Sequence, residues 1–148
     1  MGPRRRGRVL AFQALYAWAM TDSRFRDKAL PELLEFSWLD GGRDAKLEGS
    51  ADFARLIVQG TVEKAAEVDS MIKAHLKNWD ISRINMVDLA LLRMSVYVLM
   101  FQKDIPPTVV IDEAVDISRE FGTDDSYRFI NGVLDGVRKT IQDGKPWE

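Results

Sequence analysis

Apolar side chains recur every three to four residues along most of the chain, the spacing of helices that bury one face. Val9, Phe12, Tyr16 and Ala19 fall on one such stripe, with Leu15 and Met20 beside it, which predicts a first helix. Residues 21–28 are polar and read as a turn, after which Pro31-Glu32 suits the first turn of a short helix to residue 38. Asp40-Gly41-Gly42 breaks it. Ser50 or Asp52 is placed to cap a long third helix to about residue 77, with Phe53, Leu56, Ile57, Gly60, Val68, Met71, Ile72 and Leu76 as its inner positions. Asn78-Trp79-Asp80 reads as a junction dividing the chain into two halves, about 1–78 and 79–148.

A short helix near 81–85 leads into a strongly apolar one over 86–101, and Ile105-Pro106-Pro107 then stops the chain from continuing as a helix. Residues 108–121 form the next helix, with Val109, Val110, Ala114, Val115 and Ile117 inward and Gly122 as its C-cap. Thr123 or Asp124 caps a last helix carrying Phe129, Ile130, Val133, Leu134 and Val137, which Gly144-Lys145-Pro146 ends. No segment alternates as a strand does, and no repeat has a fixed period. The pattern predicts an all-α protein.

Charge changes the picture at one place. The chain carries 21 basic and 23 acidic side chains, yet four of its first eight residues are arginine, in Arg4-Arg5-Arg6-Gly7-Arg8. Cations at a helix N-terminus oppose the macrodipole by about 0.3–1 kcal/mol each, so stability does not account for four of them. A dense positive patch on a near-neutral protein suits a phosphate backbone. Arg4 and Arg8 are one helical repeat apart and share a face.

Composition narrows the rest. At 46% hydrophobic, with seven Phe and four Trp, the chain is able to bury a core. The absence of cysteine removes disulfides, thiolate nucleophiles and Cys-type zinc sites, and with no signal-like segment the expected location is the reducing cytoplasm. The longest apolar run, about 16 residues over 86–101, contains Asp88 and Arg93 and reads as a buried helix, not a membrane span. No HExxH, GxSxG, Walker-type or GxGxxG run occurs, and the lone histidine, His75, reads as structural or solvated. The carboxylate pairs Asp112-Glu113 and Asp124-Asp125 suggest no acid–base site, and the second is explained by helix capping. No catalytic residue, cofactor or metal is expected.

The stretch FGTDDSYRFINGVL, residues 121–134, sets Tyr127, Arg128 and Phe129 on one helical turn after an acidic cap. An aromatic ring beside a guanidinium is a platform on which an unpaired base stacks for about 1–3 kcal/mol. Gly132, costing a helix about 1 kcal/mol, marks a close approach by another helix or a partner.

Together these segments resemble the bacterial transcription antitermination factor NusB family. The resemblance opens on RRRGRVLAFQALYAW (residues 4–18), continues through Asp88-Leu89-Ala90-Leu91-Leu92-Arg93 and Ile105-Pro106, and ends on IDEAVDISREFGTDDSYRFINGVLD (residues 111–135). It is weakest between residues 21 and 49. It implies two small helical bundles packed into one compact domain of about seven helices. It also implies a non-enzymatic factor that binds boxA-type single-stranded RNA together with NusE, a small-subunit ribosomal protein, within the transcription elongation complex. Carried onto this chain, the family's motifs place RNA contacts on Arg4, Arg5, Arg6, Arg8 and Tyr16, and on Asp125, Arg128 and Phe129. Two departures matter. Asp112 stands where the family commonly has Asn, and Pro107 stiffens the loop after Pro106.

Two other readings compete. NusB-like domains fused to ribosomal RNA cytosine methyltransferases need a catalytic Cys and an α/β domain, and a chain with no Cys that stops soon after Asp135 offers neither. A protein-interaction module or homodimer with an occluded RNA surface would use the arginines in an interface.

Overall fold

The computed structural model describes residues 2–38, 45–77 and 80–144, the first four residues of the third helix by backbone alone. Within them lie seven α-helices and no strand: α1 Pro3–Met20, α2 Arg26–Leu33, α3 Ala45–Glu63, α4 Ala65–Ala74, α5 Met86–Phe101, α6 Pro107–Phe121 and α7 Ser126–Asp143. The all-α expectation holds. The breaks read at residues 40–42, 78–79 and 145–146 lie outside the described residues.

α5 is the centre. It buries residues on every side, from Leu89 to Met100, and packs against α1, α3, α4, α6 and α7. The Asn85 side chain accepts from the Asp88 N–H (2.9 Å), which caps the helix where the sequence reading began it. Arg93, the one cation in this apolar run, is met by Asp69 of α4 through two hydrogen bonds of 2.9 and 3.0 Å.

The first half departs from the sequence reading. The long third helix is two, α3 and α4, parted at Lys64, and α3 begins at Ala45, so Ser50 lies inside it. There its hydroxyl donates to the Pro3 carbonyl at 2.9 Å. Residues 23–25 form a 3₁₀ turn, which Asp22 caps by accepting from the Arg24 N–H, and α2 begins at Arg26 with Pro31 in its last turns instead of its first. Arg26 explains the shift. Its guanidinium donates to the carbonyls of Trp18, Ala19 and Thr21, so it must stand at the C-terminus of α1.

Inner faces also rotate from their expected phase. α1 buries Gly7, Leu10, Ala11, Phe12, Ala14 and Leu15, while Tyr16 and Met20 are exposed, because α1 is gripped by both α3 and α5. Leu56 and Val109, read as inner, are exposed, since α3 turns Ala54, Ile57 and Val58 inward and α6 turns Val110, Ile111, Ala114 and Ile117. Ser126, not Thr123 or Asp124, organises the start of α7: its hydroxyl oxygen accepts from the Thr123 N–H at 2.9 Å. Gly122 does end α6, by close approach and not by left-handed backbone. A Cβ there would lie 2.6 Å from Ser126 Oγ and 2.7 Å from the Ser118 carbonyl oxygen.

His75 is structural. Its Nδ1 lies 3.0 Å from the Met71 carbonyl, which only accepts, so Nδ1 carries the proton and Nε2 accepts from the Thr140 hydroxyl at 2.7 Å. That bond joins α4 to α7. On α7 itself, hydrogen bonds from Arg138 and then Lys139 hold the Asp135 carboxyl below its ordinary pKa of 3.8. A depressed folded pKa stabilises above the unfolded value and is lost as pH falls through the folded one. Because both side chains stay partly open to solvent, Asp135→Asn is expected to cost only a few tenths of a kcal/mol at neutral pH. Parallel denaturant titrations should show that difference shrink as pH falls below about 3.8, the unfolded value, and vanish only below the lower folded one.

Candidate nucleic-acid interface

Glycine at position 7 decides how the arginine cluster is held. A Cβ there would fall 2.6 Å from Phe53 Cδ2 and 3.0 Å from the Ser50 carbonyl oxygen, so only glycine lets the first turns of α1 lie this close to α3. That contact sets the Phe53 ring beneath the arginines. The Arg4 guanidinium carbon stands 4.5 Å from the ring centroid and that of Arg8 5.6 Å. Arg4, Arg8 and Phe53 line a hollow of about 450 Å³ with Leu56, Gln102 and Pro106. The face shared by Arg4 and Arg8, read from their spacing, is therefore present.

Arg5 points elsewhere. Its Nε donates to the Glu113 carboxylate and its Nη2 to Asp116 at 2.9 Å, both on α6. Burial pulls its pKa down, but the hydrogen bonds and charges of Glu113 and Asp116 outweigh that and raise it, so Arg5 is a fixed cation. Arg8 lies 3.6 Å from Glu113. Its pKa is lowered, by burial first and then by Arg4 and Arg5, against the pull of Glu113. Among the described residues Arg4 and Arg6 have no carboxylate partner. Two of the four arginines thus remain unneutralised.

One ring contact carries α1 toward the second segment. Phe12 packs on Phe121 at the end of α6, with ring centroids 5.4 Å apart, and Tyr16 lies exposed one helical turn further along α1. α1 and α6 therefore run in the same sense, Arg5 meeting the middle of α6 and Phe12 its end. Beyond that end, Arg128 Nε donates to the Tyr127 hydroxyl at 2.9 Å. Half-buried Phe129 borders two hollows. One includes Arg128, Gly132, Leu76 and Lys77, and the other Arg83, Asn85, Asp88, Thr123 and Asp125.

The Asp125 carboxylate makes no capping hydrogen bond, contrary to the capping role read for the acidic pair, and so remains an acceptor at the rim. Asp88 lies buried in the same hollow. Its Oδ2 accepts from Asn85 Nδ2 at 3.0 Å, while its Oδ1 has no partner among the described residues. Gly132 approaches no other helix, because an added Cβ there would have nothing within 4 Å.

The structure thus brings together Arg4 with Arg8, and Asp125 with Phe129, at opposite ends of α6; no contact joins Arg128 to the first cluster among the described residues. Sequence reasoning missed Phe53, Glu113 and Asp116 because nothing local marks them. The Arg5–Glu113 pair is 108 residues apart in the chain.

Three comparisons bear on this arrangement. Residues 5–139 match the model of the NusB family. The transcription antitermination protein NusB of Treponema denticola is 48% identical over 135 residues, covering 91% of this chain and 95% of the relative. The solved NusB of T. maritima, 36% identical, superposes with a TM-score of 0.75 over 94% of this chain and 93% of its own. A structure of the antitermination factors NusB and NusE in complex with dsRNA matches with the same TM-score of 0.75 at 26% identity, covering 93% of this chain and 97% of that one.

Proposed function

The chain belongs to the NusB family, and from that premise we propose that it is a transcription antitermination factor whose two halves, about 1–78 and 79–148, act as one RNA-binding unit. It binds rather than catalyses, as its antitermination relatives imply. It works in the cytoplasm on nascent RNA of the boxA type, together with a NusE-type ribosomal protein and the elongating polymerase. Among the described residues no helix is long and apolar enough to cross a membrane.

The observation that carries this reading is the seating of Arg4 and Arg8 over Phe53, which turns an arginine run into a fixed cationic edge. Its counterpart is the hollow beside Phe129, where the exposed Asp125 carboxylate offers acceptors to the amino edges of splayed bases, the usual mode for single-stranded RNA. Arg4, Arg6 and Arg8 contact phosphates, Tyr16 and Phe129 offer ring faces, and Asp125 and Arg128 hold the strand at the far end. Arg5, clasped by α6, chiefly positions α1.

Arg4→Ala with Arg8→Ala is expected to weaken boxA RNA binding by the complex with the ribosomal protein about tenfold or more. The slope of log K against log salt should fall by about 0.7 for each phosphate that is no longer neutralised. An unchanged slope would remove the arginine edge from the site. The same RNA as a single strand and annealed to its complement forms the second arm, since the NusE-bound relative holds dsRNA. The single strand is expected to bind more tightly.

A homodimer that occludes this surface is favoured by one observation, the exposed Tyr16, Met20, Phe25 and Trp38 around the end of α1. Sizing the protein with and without RNA distinguishes the two, because RNA would split such a dimer.

A further inference from the structure

We infer that Arg119, Tyr127 and Arg128 form a clamp for one backbone phosphate of the bound RNA, at the end of α6 remote from the Arg4–Arg8 edge. This rests on the RNA-binding reading above and names a contact within it.

Two guanidinium groups converge on one ring. Arg119, in the last turn of α6, stands 4.8 Å from the Tyr127 ring centroid, and Arg128, in the first turn of α7, stands 5.4 Å from it. The two cations are therefore no further apart than the sum of those distances. Both residues are exposed. Elsewhere Arg5, Arg24, Arg55, Arg93 and Arg138 each have a carboxylate within salt-bridge distance. Arg119 and Arg128 have none among the described residues, although Glu120 and Asp124 are close in sequence. A cation in the last turn of α6 suits the helix dipole. The dipole does not explain why a second cation is drawn onto the same ring against mutual repulsion.

The chemistry is that of an anion site. The Tyr127 oxygen accepts from Arg128 Nε at 2.9 Å, which fixes the guanidinium and leaves the phenolic O–H free to donate. The two guanidinium groups present donors only, the hydroxyl has its O–H left to donate, and a phosphodiester presents acceptors only. Exposed Phe121 lies at the end of the same helix, and Phe129 borders its hollow one residue beyond Arg128. The clamp thus stands where a strand would pass from the first ring to the second. From Pro107 to Arg119, α6 rises about 18 Å. A strand spanning both cationic stations therefore places a few nucleotides between them.

The test uses the full chain with the NusE-type ribosomal protein and a short single-stranded boxA RNA, titrated over a series of salt concentrations. Arg119→Ala is expected to weaken binding about fivefold and lower the salt slope by about 0.7. Tyr127→Phe removes a hydroxyl but no charge, and is expected to weaken binding about threefold at an unchanged slope. RNAs carrying a neutral methylphosphonate at one linkage at a time should show a position whose penalty disappears in Arg119→Ala, a few nucleotides from the one whose penalty disappears in Arg4→Ala. If Arg119→Ala keeps the wild-type slope and linkage profile while Arg4→Ala changes them, the clamp is wrong and the RNA site stands. If neither changes them, the RNA reading itself fails. Unaltered affinity in Tyr127→Phe overturns the three-group site.

Discussion

Gly60→Ala is expected to be the most damaging single-methyl change in this protein, costing about 1–3 kcal/mol. The added Cβ would lie 2.0 Å from Tyr97 Oη, 2.2 Å from its Cζ and 2.8 Å from its Cε1, distances at which something must move. The obstacle is a whole ring. Tyr97 is buried on α5, stacks toward Phe101 with centroids 5.6 Å apart, and accepts from Gln102 Nε2 at 3.1 Å. Overpacking of this kind costs about 1–3 kcal/mol, and displacing the hydroxyl adds about 1 kcal/mol for the broken hydrogen bond. Alanine's better helix propensity returns about 1 kcal/mol. Chemical denaturation should show a lower midpoint at an unchanged slope. Gly132→Ala is the matched control, because a Cβ there meets nothing, and it should stabilise by up to about 1 kcal/mol. A Gly60→Ala protein as stable as wild type would mean that Tyr97 yields without cost.

Phe53→Ala is expected to have the largest effect on binding for a residue that touches no phosphate itself. The ring supports Arg4 and Arg8 and fills the space beside Gly7, so its loss unseats two cations together. Affinity for boxA RNA should fall about tenfold or more, with a stability loss of about 2 kcal/mol, below the range for a fully buried Phe because this ring is half-buried. Phe53→Leu separates the two effects. It keeps most of the apolar volume but no π face, so stability should largely return while binding stays impaired. Recovery of both in Phe53→Leu would reduce the ring to packing alone.

How far sequence foretells this molecule follows the range of the forces involved. α5 is legible to the residue because a strongly apolar run, broken only by Asp88, Arg93 and Ser95, begins at a capping Asn85 and ends before a polar turn. α6 and α7 follow from Pro106-Pro107 and Gly122, which are local signals. The stretch between α1 and α3 misleads because its deciding interaction, Arg26 closing the end of α1, is tertiary. The break at Lys64 leaves no signal in residue type. For the interface, the cationic residues and the Phe129 turn are visible, and the shared face of Arg4 and Arg8 follows from helical geometry. Which arginines are neutralised is not visible, because Glu113 and Asp116 become neighbours of Arg5 only once α6 has packed near α1.

That neutralisation bears on how the protein finds its target. Glu113 and Asp116 cancel half the charge of the four arginines beside them, so the edge draws distant polyanions only weakly. Random transcripts, held by phosphate attraction alone, are released quickly. In a cell crowded with RNA such a protein searches by brief, frequent sampling. On the proposed RNA-binding reading it dwells only where the hollow beside Phe129 is also filled, so residence time, more than encounter rate, selects the right transcript.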